Sequence, residues 1–279
     1  MKIAVLSGKG GTGKTFVSVN LAVTAKKATY IDCDVEEPNG RLFFKPQNIK
    51  TEEVDTLLPA VIAEKCIGCR KCVDACRFNA LSFIKNKPHV FPEVCHSCGA
   101  CALVCPSGAI VEIKRPIGVV ESGVYEQVQV ITGVLNVGEA SGVPVIRSAL
   151  ETKTDEENIT VIDCPPGSAC TVMESVQSAD FCILVVEATA FGFHNFKMVY
   201  ELVSLLEKPC GVVINKADQA YAKLESFCQE KNISVLCRIP YREKLAQIGA
   251  KAGIACQEDE ETKEQFSLLL KTIKQEVGK

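Results

Sequence analysis

The segment Gly8-Lys9-Gly10-Gly11-Thr12-Gly13-Lys14-Thr15 restricts the fold of this chain more than any other feature. It satisfies G-x-x-x-x-G-K-[ST] at every position. It follows a short apolar run, 3–6, and opens a stretch, 16–26, with helical apolar spacing at Phe16, Val19, Leu21 and Val23. A strand, a glycine-rich bend and a helix in that order are the parts of an α/β sheet protein. The glycines let successive N–H groups turn inward, and the helix N-terminus adds positive potential, so the loop suits phosphate. Gly8, Gly10, Gly11, Thr12 and Gly13 supply the cradle. Lys14 is placed to reach β/γ-phosphates, and the Thr15 hydroxyl to ligate Mg²⁺.

The rest of the chain extends this pattern and interrupts it once. A second strand is expected at 28–31. Further strands are expected at 117–120, 128–135, 159–163, 181–187, 210–214 and 235–239. Helices are expected at 143–151, 169–177, 193–207, 218–231, 242–251 and 260–277. The runs at 159–163 and 181–187 are almost continuously apolar, which marks strands buried on both faces of a parallel sheet. Between 59 and 116 the character changes to eight cysteines, Pro88, Pro92 and Pro106, and short apolar pieces. The expected organisation is an α/β core with a mostly parallel sheet, formed by 1–58 and 117–279, with a small cysteine module inserted at 59–116.

Composition narrows the classes. Of 279 residues, 47% are hydrophobic and 23% charged, a globular balance that excludes a disordered chain. No apolar run reaches the ~18 residues that read as a membrane helix. The N-terminus lacks the apolar region and cleavage site of a secretory signal, so a cytoplasmic protein is expected. A net charge of −3 argues against nucleic-acid binding through bulk charge. Sixteen cysteines are the compositional outlier. Eight disulfides would suit a small secreted chain rather than one of this length without an export signal, so metal or cluster binding is the better reading.

The spacing supports that reading. Cys66, Cys69, Cys72 and Cys76 follow C-x₂-C-x₂-C-x₃-C, and Cys95, Cys98, Cys101 and Cys105 repeat it, with Pro106 next. The runs resemble those of bacterial two-cluster ferredoxins, in which three thiolates hold one cubane and the fourth crosses to the other. The resemblance implies two [4Fe–4S] clusters, one on Cys66, Cys69, Cys72 and Cys105, the other on Cys95, Cys98, Cys101 and Cys76. Arg77 stands where a proline usually follows the first run. Gly68 and Gly99 allow tight turns beside the sulfurs. Zinc is the alternative, but it needs only four ligands and leaves the other cysteines without a role. Between 59 and 115 there are eight Lys/Arg and four Asp/Glu, an excess that offsets two anionic clusters. Of the eight other cysteines, most sit in apolar segments as small hydrophobes. Cys170 lies seven residues after Asp163, at the offset of a cluster ligand in the nitrogenase iron protein. No cysteine stands at 138–142, where the second such ligand is expected.

With its second lysine, Lys9, the loop resembles the deviant P-loop of the MinD/ParA/Mrp superfamily, and more distantly that of the nitrogenase iron protein. The resemblance spans most of the chain outside the cysteine module. It implies that Lys9 reaches the nucleotide of a partner subunit, in an ATP-dependent homodimer or a heterodimer with a paralogue. It implies that Asp32 holds the Mg²⁺ hydration shell while Asp34 positions the attacking water. Asp163, in Asp163-Cys164-Pro165-Pro166-Gly167, would bind Mg²⁺ through water, with the Gly167 N–H sensing the γ-phosphate. The Asp32/Asp34 pair also reads as a simple polar strand terminus. Asn215-Lys216-Ala217-Asp218 matches the guanine-reading N-K-x-D, but the Lys9 signature favours ATP, with Asn215 and Pro240 at the base.

Three functions follow from these readings. One is an ATPase coupled to electron transfer toward an unidentified redox partner, with Lys9, Lys14 and Asp34 as catalytic residues. Another is an iron–sulfur carrier of the Mrp type, although its C-P-x-C is absent from this sequence. The third is a MinD/ParA-like positioning ATPase with structural clusters. The helix at 260–277, apolar on one face and mixed in charge on the other, reads as core-docking rather than membrane-binding.

Overall fold

A computed structural model describes residues 1–155 and 157–278. Strand β1 (Lys2–Leu6) runs into the glycine loop and helix α1 (Lys14–Thr24), followed by β2 (Ala28–Asp32) and a short helix α2 (Gly40–Phe44). The chain then leaves the core along a long strand, β3 (Gln47–Val61). It forms the cysteine module from α3 (Lys71–Ala75), the hairpin β4 (Leu81–Ile84) and β5 (Lys87–Val90), and α4 (Ala100–Leu103). It returns along β6 (Ile110–Tyr125) into β7 (Val128–Leu135) and α5 (Val143–Glu151). The remainder alternates: β8 (Ile159–Asp163), α6 (Cys170–Val176), β9 (Phe181–Glu187), α7 (Ala190–Leu205), β10 (Cys210–Asn215), α8 (Ala222–Glu230) and β11 (Ser234–Ile239). Helices α9 (Glu243–Ala250), α10 (Ala255–Glu258) and α11 (Glu260–Val277) close the chain.

Among the described residues, nine strands form one sheet in the order β11-β10-β9-β1-β8-β2-β7-β6-β3. Seven of them, β11 to β7, pair in parallel. Alternate residues of these strands enter opposite cores. Leu6, Ile31, Ile162, Leu184 and Ile214 pack in the layer that includes α5, α6 and α7. Ile3, Val5, Tyr30, Val161 and Ile183 pack in the layer of α1 and α11. Burial on both faces explains why these strands read as unbroken apolar runs. Phe266, Leu269 and Ile273 of α11 lie within the second core, so this helix docks on the sheet.

The structure departs from the sequence reading at the edge of the sheet. The apolar pattern marks a strand there only at 117–120 and gives none at 47–61. Instead β3 and β6 form a long antiparallel ladder from Gln47↔Val124 to Val61↔Ile110, and β6 pairs antiparallel with β7. Much of β3 is exposed on both faces, so it carries neither the period-2 nor the buried-strand signal. Cross-strand pairing holds it, and that is invisible locally. Helix α7 begins three residues earlier than expected because the Thr189 hydroxyl caps it, accepting from the Gly192 N–H at 3.0 Å. The cysteine module has its own small cluster of Cys72, Leu81, Cys101 and Ile110.

Candidate nucleotide site and cysteine cavities

The carboxyl edge of the parallel strands gathers the site, as expected for open α/β sheets. Asp32 and Asp163 end adjacent strands in register. Glu187 and Asn215 likewise end β9 and β10 in register. The glycine loop emerges between these two pairs, because β1 lies between β8 and β9. Gly13 holds φ of 93°, and a Cβ there would lie 2.1 Å from Asn215 Nδ2. A Cβ on Gly8 would meet the Asn195 carbonyl at 2.4 Å. Both positions therefore require glycine. Among the described residues the buried Thr12 hydroxyl has no partner, an orphan that a phosphate oxygen would satisfy.

Lys14 is buried and lies 2.7 Å from Asp163 Oδ1 and 3.6 Å from Asp34 Oδ2. Burial alone would lower its ammonium. Asp163, with its hydrogen bond, and then Asp34 and Asp32 outweigh this and hold it above the usual lysine range. Asp32 is fully buried and accepts N–H bonds from Gly40 at 2.9 Å and Asp34 at 3.1 Å. Burial first, and the charge of Asp163 second, push its carboxyl up to about 7. Burial also raises Asp34. Gly167, at φ of 95°, donates its N–H to the Ser7 carbonyl at 2.9 Å.

A cleft is lined by Gly10, Gly11, Gly13, Lys14, Thr15 and Asp34, by Pro165 and Pro166, and by Phe16, Phe43 and Gly249. It joins the loop to both aspartate segments. Asn215 and Pro240 do not line it. The Asn215 amide donates to the Thr12 carbonyl at 2.7 Å, bracing the loop from behind. Asp218 accepts the Tyr241 N–H at 2.9 Å and so fixes the turn after β11. The turn at 249–252 was not anticipated, since it lies at the end of an ordinary amphipathic helix. Glu187 belongs to the loop's surroundings as well. It binds Lys9 at 2.7 Å and Lys216 at 2.6 Å. Its one sequence signal is a charge ending an otherwise apolar strand.

The eight module cysteines fall into two groups. Cys66, Cys69, Cys72 and Cys105 line one small cavity. Cys76, Cys95, Cys98 and Cys101 line a second. The fourth cysteine of each run thus lies with the first three of the other. The two halves repeat in detail. The Ala80 N–H donates to Cys76 Sγ at 3.3 Å, and the Ala109 N–H to Cys105 Sγ at 3.2 Å. Gly68 and its counterpart Ser97 both have positive φ, as do Arg70 and its counterpart Gly99. The glycine therefore serves one turn in each copy, and a non-glycine residue adopts the same conformation in the other. Among the described residues, no three His, Cys, Asp or Glu side chains converge tightly enough to hold a single metal ion. Each donor set is all-thiol and gathered around one cavity, and each fourth sulfur accepts an N–H. This fits a four-thiolate cluster better than one ion. Mg²⁺ needs no protein cage, since one or two carboxylates and phosphate oxygens complete its shell.

The sequence profile of the CobQ/CobB/MinD/ParA nucleotide binding domain matches residues 3–253. An uncharacterized protein of Methanocaldococcus jannaschii is 31% identical over 220 residues, covering 77% of this chain and 78% of that one. A protein named Ferredoxin 7Fe, from Hydrogenibacillus schlegelii, is 40% identical over 52 residues, covering 18% of this chain and 67% of its own. Among solved structures, the cell division ATPase MinD of Pyrococcus furiosus superposes with a TM-score of 0.62 at 17% identity, covering 98% of each chain. That likeness concerns the fold. Among the described residues, no helix is long and apolar enough to cross a membrane.

Proposed function

Because this chain belongs to the CobQ/CobB/MinD/ParA nucleotide-binding family, we propose that it is an ATPase that couples Mg-ATP binding and hydrolysis to electron transfer through two [4Fe–4S] clusters. In this reading Lys14 and the loop amides hold the phosphates, and Thr15, Asp32 and Asp163 hold Mg²⁺ and its waters. Asp34 orients the attacking water. Lys9 acts across an ATP-dependent dimer. The residues at 59–116 form the cluster-binding unit, and a further protein exchanges electrons with it. Each cluster, when bound, supplies a one-electron centre. Asp218 Oδ1 already accepts the Tyr241 N–H, which weighs against the two-oxygen contact that guanine recognition uses and so favours ATP.

The observation that carries the coupling is the attachment of the cysteine module to the first aspartate segment. The β3–β6 ladder leaves the core after α2, the helix that follows Asp34, and returns through β7. At the end of β7 the Leu135 N–H donates to the Val35 carbonyl at 2.9 Å. Arg41 of α2 reaches Glu121 of β6 at 3.1 Å. A shift of 34–41 on nucleotide binding therefore pulls on the root of the ladder.

The test is a redox titration followed by electron paramagnetic resonance without nucleotide, with Mg-ADP and with Mg-ATP. Coupling is reciprocal, and a tenfold difference in nucleotide affinity between redox states corresponds to ~59 mV for one electron. At least one potential is expected to move by tens of millivolts. Three superimposable curves, with an ATPase rate indifferent to redox state, would favour a positioning ATPase with structural clusters.

A further inference from the structure

Tyr30 is wholly buried, and its ring packs against Phe44 with centroids 4.8 Å apart. Phenylalanine would fill that space without the cost of burying a hydroxyl. The hydroxyl, however, has a specific use. It donates to Asp163 Oδ2 at 2.9 Å and lies 3.5 Å from Asp32 Oδ2. The two oxygens of Asp163 are thus divided, Oδ1 to Lys14 and Oδ2 to Tyr30. Those of Asp32 go to the N–H groups of Asp34 and Gly40. Gly40 begins α2, and a Cβ on it would lie 2.2 Å from the Tyr30 hydroxyl and 2.4 Å from its ring. Glycine at 40 and tyrosine at 30 therefore fit as a pair.

We infer that Tyr30 is a positioning residue for Mg²⁺, holding Asp163 in its orientation when Lys14 moves to the nucleotide and tying that orientation to the start of α2. The inference rests on the Mg-nucleotide reading above. Lys14 has three N–H donors, and turning them to the phosphate oxygens draws it off Asp163. When it leaves, Oδ1 is vacated and can accept a proton of metal-bound water. The χ2 torsion of an aspartate is soft, so a carboxylate held at neither oxygen turns away readily. The Tyr30 bond to Oδ2 prevents that turn. Because the same hydroxyl abuts Gly40, a displacement of α2 is felt at Asp163, the residue that heads the second nucleotide-responsive segment.

The test uses the full chain as isolated and a fluorescent ADP, titrated in EDTA and against Mg²⁺. For Tyr30→Phe, which keeps the ring, the Mg²⁺ concentration for half-maximal tightening should rise about tenfold or more, the size expected for a lost hydrogen bond to a charged group. Affinity in EDTA should be unchanged. In an Asp163→Asn background, Tyr30→Phe should add no further loss. Gly40→Ala retains the hydroxyl but displaces it, and should show the same Mg²⁺ defect. Wild-type Mg²⁺ dependence in either single variant overturns the inference. So does an equal loss in EDTA and Mg²⁺, which would mark a packing defect. Additive losses in the double variant overturn it as well. A wild-type protein whose nucleotide binding ignores Mg²⁺ overturns the Mg-nucleotide reading itself, and this inference with it.

Discussion

Lys9 and Lys216 share one carboxylate: Lys9 Nζ lies 2.7 Å from Glu187 Oε2, and Lys216 Nζ lies 2.6 Å from Oε1. Burial would raise Glu187, but the hydrogen bonds and charges of the two lysines outweigh it and hold the carboxyl below its ordinary range. Lys216 also reaches the Gly11 carbonyl at 3.1 Å, so the cluster grips the glycine loop. The lysine assigned to a partner's nucleotide is thus bound within its own chain.

Releasing it should ease dimerisation. Lys9 is 26% exposed, so the pair contributes only about 1 kcal/mol. Glu187→Gln is therefore expected to strengthen ATP-dependent self-association by roughly fivefold. Lys9→Ala should bind ATP yet fail to associate. Sedimentation velocity with a non-hydrolysable ATP analogue reads both. Unchanged association in Glu187→Gln would mean that the ion pair does not compete with the dimer.

Asp32, Asp34 and Lys14 should separate by kinetics. Asp34→Asn is expected to bind Mg-ATP nearly normally and to hydrolyse it at least ~100-fold more slowly. Asp32→Asn should chiefly weaken the Mg²⁺ dependence. Lys14→Ala should lose triphosphate binding. It should also destabilise the free chain by roughly 3–5 kcal/mol near neutral pH, because it leaves buried carboxylates uncompensated. Phosphate-release assays and chemical denaturation separate these outcomes, and an Asp34→Asn variant of normal rate would place the water-orienting group elsewhere.

The nucleotide-free chain should lose stability as pH rises toward neutrality. Asp32, pushed up to about 7, and Asp34, also raised, keep protons in the folded state that the unfolded chain releases above ~4. The folded state binds more protons in that window, so unfolding free energy falls with rising pH, by at most ~1.4 kcal/mol per pH unit per group. The fall ends above about 7, where Asp32 is ionised in both states. Asp32→Asn should flatten the slope, and so should saturating Mg-ATP, which favours the ionised form. Denaturant midpoints between about pH 5.5 and 7.5 suffice to see it. A flat wild-type profile would contradict the burial argument.

The crossed grouping of cysteines can be read from iron content. Anaerobically prepared protein should hold about eight irons per chain. Cys66→Ser with Cys105→Ser removes two ligands from one cavity and should leave about four irons. Cys66→Ser with Cys76→Ser removes one ligand from each and should lower both clusters. Equal iron in the two double variants would refute the crossing.

Contiguous motifs were legible in the sequence because local chemistry carries them. The glycine loop with Lys14 and Thr15, the cysteine runs and the apolar core strands all declare themselves within about ten residues. The parallel core follows from those strands, whose burial on both faces leaves no polar alternation. The β3–β6 ladder was not legible, since exposed residues such as Lys50, Glu52 and Glu53 become strand only by pairing with a partner some seventy residues away. The same holds at the site. Asn215 was read as facing a base, yet it braces Thr12, because its direction depends on how closely β10 approaches Gly13. Glu187 and Tyr30 looked like the end and the middle of ordinary strands. Their partners, Lys9 and Asp163, are distant in sequence and meet them only where the sheet order places β1 and β8 beside β9 and β2. Residue types and spacing thus determined which chemistry this chain can hold. Strand order and register decided which charges face one another, because an ion pair or a buried hydrogen bond depends on separations of a few ångströms that no local pattern encodes.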